Sequence, residues 1–215
     1  MAESDADRCK EIVRAGYDSV SERYRGDDGS RGIGCYDYYG DWLPAFAARL
    51  GSGARALDLG CGNGIPATRY LVAAGCRVTG IDFSEVQIAR ARALVPGAEL
   101  RCADITEIDF PPASFDDVLF LYAVIHLPRA EQPPLLGRIA TWLEPGGWLL
   151  MTAGEREWAG SEEDWLGAPM WWSHADAPTY ETWLRAAGLE VLERDFAPEG
   201  SDGHSVFWAR RPGSS

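Results

Sequence analysis

Between Arg55 and Ala153 the sequence alternates short apolar segments with helix-forming stretches, and its first junction reads Leu57-Asp-Leu-Gly-Cys-Gly-Asn-Gly64. That alternation constrains the fold more than any other feature. The apolar segments are 55–59, 76–81, 99–103, 117–122 and 148–153, with helical character at 65–74, 84–94 and 129–142. Strands separated by helices of this length predict βαβ units and a mostly parallel sheet covered on both faces. The near-continuous apolar run Gly147-Trp-Leu-Leu-Met151 suits a strand buried on both sides. The expected fold class is α/β, a Rossmann-like, seven-stranded, mostly parallel sheet with an antiparallel last strand, helices on both faces and an N-terminal helical cap.

The flanks complete that expectation. Residues 7–25 predict a helix with Ile12, Val13, Tyr17, Val20 and Tyr24 as its apolar or aromatic positions, followed by a Gly/Asp/Arg-rich loop. Asp41 is the expected N-cap of a second helix running to Leu50, with Pro44 in its first turn. A helix over 179–187 closes at Gly188, and strands over 189–196 and 204–210 follow as an antiparallel pair. A single domain over 1–215 results, divided into a cap (1–51), a ligand-binding core (52–154), a lid segment (155–177) and a closing helix and strand pair (178–215).

Glycines at 60, 62 and 64 allow a tight strand-to-helix turn and close approach of a ligand to the backbone. The helix that follows presents unpaired N–H groups. Asp82 ends the second strand, where a carboxylate accepting both ribose hydroxyls belongs, and Asp104 ends the third, within reach of an adenine amino group. The dinucleotide fingerprint Gly-x-Gly-x-x-Gly is not met, because Ile occupies position 65 and the glycine stands at 64. Asp58 would repel a pyrophosphate, and an acid at that point implies a cationic ligand group such as an ammonium or a sulfonium.

Charge narrows the partners. With 20 basic against 33 acidic residues the net charge is −13, which opposes non-specific binding to nucleic acid and to anionic membrane surfaces. Lys10 is the single lysine and lies in a polar terminus, so lysine chemistry inside the fold is not expected. Five scattered cysteines without a Cys-x-x-Cys pair predict free thiols, and three dispersed histidines predict no metal site. No signal-like segment or long apolar run occurs, and a cytoplasmic protein is expected.

Taken in order, these motifs resemble those of the class I S-adenosylmethionine-dependent methyltransferases, in particular small bacterial members acting on small molecules. The likeness extends over about residues 10–211 and rests on 57–64, on Gly80-Ile-Asp-Phe-Ser84, on Ala103-Asp-Ile105 and on Leu143-Glu-Pro-Gly-Gly-Trp-Leu149. The resemblance implies S-adenosylmethionine as cofactor and S-adenosylhomocysteine as product. It places Asp58, Gly60, Cys61, Gly62, Asn63 and Gly64 around the methionine part, and Asp82, Phe83 and Ser84 at the ribose. Ala103, Asp104 and Ile105 would meet the adenine, with Leu121 and Tyr122 beneath the sulfonium. Tyr17 and Tyr24 would close over the cofactor, or else belong to a packing helix, since they share one helical face.

Methyl transfer from a sulfonium needs alignment, exclusion of water and, for a hydroxyl or amine, removal of a proton. His126 and His174 are the candidate bases; His204, at the start of the last strand, reads as structural. Residues 155–177 hold Trp158, Trp165, Trp171 and Trp172 beside Met170, without helical spacing. They read as a substrate lid, or alternatively as a packed surface loop. Tyr36, Tyr38, Tyr39 and Trp42 form a second aromatic group suited to the opposite wall for a planar or cationic acceptor. The expected function is methyl transfer to oxygen or nitrogen, with carbon as a further option, of a small molecule. Alternatives are a non-catalytic cofactor-binding module, a sulfonium-assisted rearrangement and a nicotinamide-dependent oxidoreductase. The sequence leaves the oligomeric state open.

Overall fold

A computed structural model describes residues 4–28, 39–199 and 202–213. Tyr36, Tyr38 and Cys35 lie outside the described residues. The chain begins with α1 (Asp5–Tyr24) and α2 (Tyr39–Ala47), then enters the alternating region as β1 (Arg55–Leu59), α3 (Ala67–Ala73), β2 (Arg77–Asp82), α4 (Glu85–Leu94) and β3 (Glu99–Cys102). It continues through β4 (Phe115–Phe120), α5 (Gln132–Trp142) and β5 (Leu143–Gly154). A hairpin of β6 (Trp158–Trp165) and β7 (Ala168–His174) precedes α6 (Ala177–Ala186), β8 (Glu190–Glu199) and β9 (Asp202–Arg210).

Seven strands form one sheet in the order β3-β2-β1-β4-β5-β9-β8, and β6 pairs only with β7. The first five are mutually parallel, while β9 runs antiparallel to both β5 and β8. The order reverses between β1 and β4, so the crevice at their carboxyl ends is where an open α/β sheet receives a ligand. The strand ends Leu59, Asp82, Cys102, Phe120 and Gly154 all reach this edge. Because β9 runs the other way, its first residues lie there too, beside the last residues of β8.

Local chemistry sets the helix starts. Ser4 and Asp7 form a reciprocal capping box on α1, Ser84 caps α4 by accepting from Gln87 N–H, and Asp176 caps α6 through Thr179 N–H. The second helix differs from expectation: it starts at Tyr39, Asp41 lies within its first turn, and Pro44 is inside it. The stretch 129–142 is also not one helix, since a short 3₁₀ turn at Arg129–Glu131 precedes α5. Proline sits at the start of α5, where its missing N–H leaves no hydrogen bond unmade. One face of the sheet packs Phe120, Leu149, Met151 and Phe207 against Trp142, Leu136 and Tyr180 of α5 and α6. The other packs Leu119, Leu150 and Val206 against Leu43 and Phe46 of α2 and Leu71 of α3.

Most of residues 155–177, expected as a lid or a packed surface loop, form the β6–β7 hairpin, and α1 lies against it. Gly16 of α1 permits this approach, since a Cβ there would stand 2.7 Å from Pro169 O and 2.8 Å from Met170 Cε. Only glycine lets the two backbones meet so closely. No helix among the described residues is long and apolar enough to cross a membrane.

Candidate functional site

The glycine junction forms a turn over the end of β2. Gly60 N–H and Cys61 N–H both donate to Ile81 O, at 2.8 and 3.0 Å, which binds the loop to the neighbouring strand. Gly60 has φ +73°, and a Cβ there would fall 2.3 Å from Ala123 Cβ, so the loop and the segment after β4 touch through a missing side chain. Asp82 extends from the end of β2, accepting Gly62 N–H with one oxygen and Ser84 N–H with the other, both at 2.9 Å. Burial pushes the Asp82 carboxyl up to about 6 against those two hydrogen bonds. Asp58 is likewise raised to about 6 by burial, partly offset by the Thr68 hydroxyl that it accepts at 2.6 Å.

These residues face a cavity whose empty space, its solvent-filled mouth included, is about 840 Å³. Of the residues singled out from sequence, Tyr17, Tyr24, Gly60, Cys61, Gly62, Asn63, Asp82, Phe83, Ala103, Asp104, Ile105, Leu121 and Tyr122 line it. Asp58, Gly64 and Ser84 stand behind it. Asp58 supports the loop through Thr68, Gly64 packs on Val95, Ala91 and Thr68, and Ser84 caps α4 and donates to Asp18.

One expectation is corrected. Lys10 does not remain in a polar terminus; α1 carries it to the cavity wall, where Nζ meets Asp104 at 2.9 Å and Glu131 at 2.6 Å. The ammonium and Thr106 hold the Asp104 carboxyl below its ordinary range even though burial alone would raise it. The signal for Lys10 was its spacing, because Lys10, Val13, Tyr17 and Tyr24 recur on one face of α1 and all reach this wall.

A second, more open cavity, with about 1240 Å³ of empty space including its solvent-filled mouth, adjoins the first and shares Tyr17, Tyr24, Arg25, Tyr39, Tyr122 and His126 with it. Its remaining wall comes from the hairpin, through Trp158, Glu162, Trp165 and Trp172, and from Arg156, His174, Glu199 and His204. Trp165 makes ring contacts with Tyr17, Tyr24 and Trp172 at 5.5 to 5.9 Å between centroids, which joins α1 to the hairpin. Tyr39 packs on Tyr122 at 5.7 Å. Met170 and Trp171 do not line either cavity: Met170 is buried under Gly16, and Trp171 contributes its carbonyl oxygen.

The histidines differ in what their ring nitrogens do. His126 donates from Nδ1 to Trp171 O at 2.9 Å, because a carbonyl can only accept, and its Nε2 then accepts the Tyr17 hydroxyl at 2.9 Å. Burial drives this imidazole down to about 4, so it is neutral. His174 donates from Nδ1 to Arg156 O at 2.7 Å and packs beside Trp158; burial lowers its pKa as well. His204, read from sequence as structural, lines the second cavity. Its Nε2 lies 2.7 Å from Glu199, and its buried Nδ1 has no hydrogen-bond partner.

The first cavity fits a nucleoside. The ionised form of a buried carboxylate raised to about 6 by desolvation is stabilised by ligand groups that donate hydrogen bonds to it. Gly62 has open space where a Cβ would stand, which leaves its backbone accessible to such a ligand. Asp82 retains lone pairs beyond its two backbone donors, and Ile105 and Leu121 supply apolar surface for a base and a thioether. Among the described residues no group of three or more His, Cys, Asp or Glu side chains is placed to hold a metal ion.

Comparison with known proteins points to methyltransferases. A family model described as a methyltransferase domain matches residues 56–147. The chain is 39% identical over 108 residues to 27-O-demethylrifamycin SV methyltransferase of Amycolatopsis mediterranei, covering 47% of this chain and 39% of that protein. It is 34% identical over 161 residues to a ubiquinone biosynthesis O-methyltransferase of Rhodopseudomonas palustris, covering 66% of this chain and 61% of that one. The alignments therefore span less than two thirds of these curated relatives. The structure of Burkholderia thailandensis 1,6-didemethyltoxoflavin-N1-methyltransferase, with bound 1,6-didemethyltoxoflavin and S-adenosylhomocysteine, superposes with a TM-score of 0.70. That match covers 99% of this chain and 92% of the other at 21% identity, which speaks to the fold alone.

Proposed function

We propose that the chain is a class I S-adenosylmethionine-dependent methyltransferase that transfers a methyl group from that cofactor to an oxygen or nitrogen of a small molecule, a reading supported by the matched methyltransferase domain and relatives. The observation that carries this reading is the pair of adjoining cavities. One is built from the glycine turn and buried Asp82, the other from aromatic rings, and they meet at Tyr17, Tyr122 and His126. When bound, the cofactor supplies a methyl group already activated as a sulfonium. What remains for the protein is to hold the nucleophile in line and keep water out.

In this reading Asp82 receives the ribose hydroxyls, while the backbone at Gly60 and Gly62 lies along the methionine part. Asp104, held by Lys10, borders the adenine end with Ile105. Tyr17 and Tyr24 close the cofactor side from α1, and the hydrogen bond of Tyr17 to His126 fixes that closure. With Nδ1 committed to Trp171 O and Nε2 to Tyr17, His126 positions α1 and the hairpin. Trp158, Trp165 and Trp172 offer flat apolar faces to a planar acceptor.

Calorimetry tests the cofactor half of the proposal, with micromolar binding of S-adenosylmethionine and S-adenosylhomocysteine expected. Absence of binding by both would overturn it. Incubation with methyl-labelled cofactor and a panel of phenols, hydroxyquinones and aromatic amines tests the transfer. Binding without transfer to any acceptor would favour a cofactor-binding module instead.

A further inference from the structure

Among the described residues the β6–β7 hairpin pairs with no other strand, so β7 has a strand partner along one edge only. Two side chains take the place of a strand along the other edge. Trp171 O and Ser173 O, two residues apart on β7, point to the same edge. His126 Nδ1 donates to the first at 2.9 Å, and Gln132 Nε2 donates to the second at 2.7 Å. Gln132 is fully buried at the first position of α5, and Pro133 and Pro134 stiffen the helix start that carries it. The same amide nitrogen also donates to Leu127 O at 2.8 Å and Val124 O at 3.2 Å, which bound the 3₁₀ turn Val124–His126 after β4. Carbonyls only accept, so the NH₂ group faces all three and Oε1 accepts the Tyr180 hydroxyl at 2.7 Å. Tyr180 of α6 thereby fixes which way the amide points.

We infer that Gln132, oriented by Tyr180, is a positioning residue of methyl transfer: it sets Trp172 on the hairpin against His126 on the turn, and so aims an acceptor held in the second cavity. This rests on the methyltransferase reading above. Gln132 itself lines neither cavity, but both segments that it joins do, through Ile125 and His126 on one side and Trp172 and His174 on the other. The rings of His126 and Trp172 stand 5.9 Å apart on those two segments. Arg129 also donates to β7, to His174 O at 3.1 Å, but its side chain is partly in water. The Gln132 bonds lie in a dry interior, where hydrogen bonds are stronger and a lost partner costs more. In-line displacement tolerates little error in the direction of approach, and a shift of about 1 Å can cost about 10²-fold even when its origin is remote. The cofactor side is tied separately, through Ile81, Asp82 and Ser84, and those bonds do not pass through Gln132.

Gln132→Met removes the amide at nearly constant volume, and Tyr180→Phe removes only the hydroxyl that orients it. Both variants should bind S-adenosylhomocysteine in calorimetry with a Kd within about threefold of wild type, which also shows that they fold. The acceptor for kinetics is whichever phenol, hydroxyquinone or aromatic amine the wild type methylates fastest. With it, Gln132→Met should lower kcat by about 10²-fold and Tyr180→Phe by about tenfold. Hydrogen exchange in the S-adenosylhomocysteine complex gives a second readout that needs no acceptor. Amides of β7 should exchange about tenfold faster in Gln132→Met, while those of β2 keep their wild-type rates. A general loss of core packing would speed both strands alike. Full kcat in a variant that binds S-adenosylhomocysteine, or exchange that rises equally in β7 and β2, would overturn the assignment. If Gln132→Met does not fold, Tyr180→Phe decides by the same two measurements. Wild-type protein that binds S-adenosylhomocysteine but methylates no acceptor would instead remove the reading on which the assignment rests.

Discussion

The two cavities share a wall but are assembled differently. The cofactor side is made from segments that are short in sequence and closed by nearby backbone bonds, such as Gly60 and Cys61 to Ile81 and Asp82 to Gly62 and Ser84. The proposed acceptor side is made from residues far apart in the chain: Tyr17 meets His126, His126 meets Trp171, and Tyr122 meets His204. The first demands particular backbone geometry at each position. The second demands only rings of suitable size at the right places on several elements, which is why substrate choice can vary on a constant cofactor frame.

Substitutions can separate the two. Gly60→Ala is expected to have the largest effect, since the added methyl would fall 2.3 Å from Ala123 Cβ at a left-handed backbone position. Unfolding free energy should drop by about 3 kcal/mol in a denaturant titration. Binding of S-adenosylhomocysteine should disappear from calorimetry, and normal binding by this variant would show that the turn does not hold the ligand. Asp82→Asn comes next. It should weaken cofactor binding by about 10²-fold through the loss of charge-assisted hydrogen bonds. An unchanged Kd would assign Asp82 to supporting Gly62 and Ser84 only.

Trp165→Ala should act on the other side. Removing the ring that joins Tyr17, Tyr24 and Trp172 should raise KM for an aromatic acceptor by about tenfold while the cofactor Kd barely moves. Equal losses in both constants would erase the distinction between the cavities. The smallest effect is expected from pH. Asp58 and Asp82 are held near 6 in the folded, ligand-free protein, above the ordinary aspartate value of 3.8. Folding therefore favours their protonated forms, and their contribution to stability is full below 3.8 and lost as pH rises through 6. Ribose hydroxyls that donate to Asp82 require its ionised form, so ligand binding should release protons and weaken as pH falls below about 6. Calorimetry in buffers of different ionisation enthalpy across that range measures both. Affinity that rises on acidification would contradict the sign.

Legibility followed the same division. The five parallel strands and the helices after them were readable because alternation of apolar and helical segments reports directly on βαβ units. The antiparallel pair β8–β9 was readable from the short link between its strands. Helix α2 was displaced because Asp41 and Pro44 suit a first turn, while the packing of Tyr39 and Trp42 extends the helix past them. Residues 155–177 carried aromatic composition but no clean period, and the register of the β6–β7 hairpin shifts between Glu162 and Trp165. The place of Lys10 at the cavity wall is set by tertiary packing, because its ion pairs with Asp104 and Glu131 depend on where α1 docks.

By itself the sequence determined the parallel sheet, the glycine turn and the acids at the ends of β2 and β3, since each follows from local backbone and side-chain preferences. The tertiary structure alone decided which groups face one another across the second cavity. Reversal of one strand brought His204 and Glu199 to the ligand edge, and docking of α1 on the hairpin committed the ring nitrogens of His126. Proton affinity and hydrogen-bond vacancy belong to an environment rather than to a residue type. Only the assembled fold specifies them.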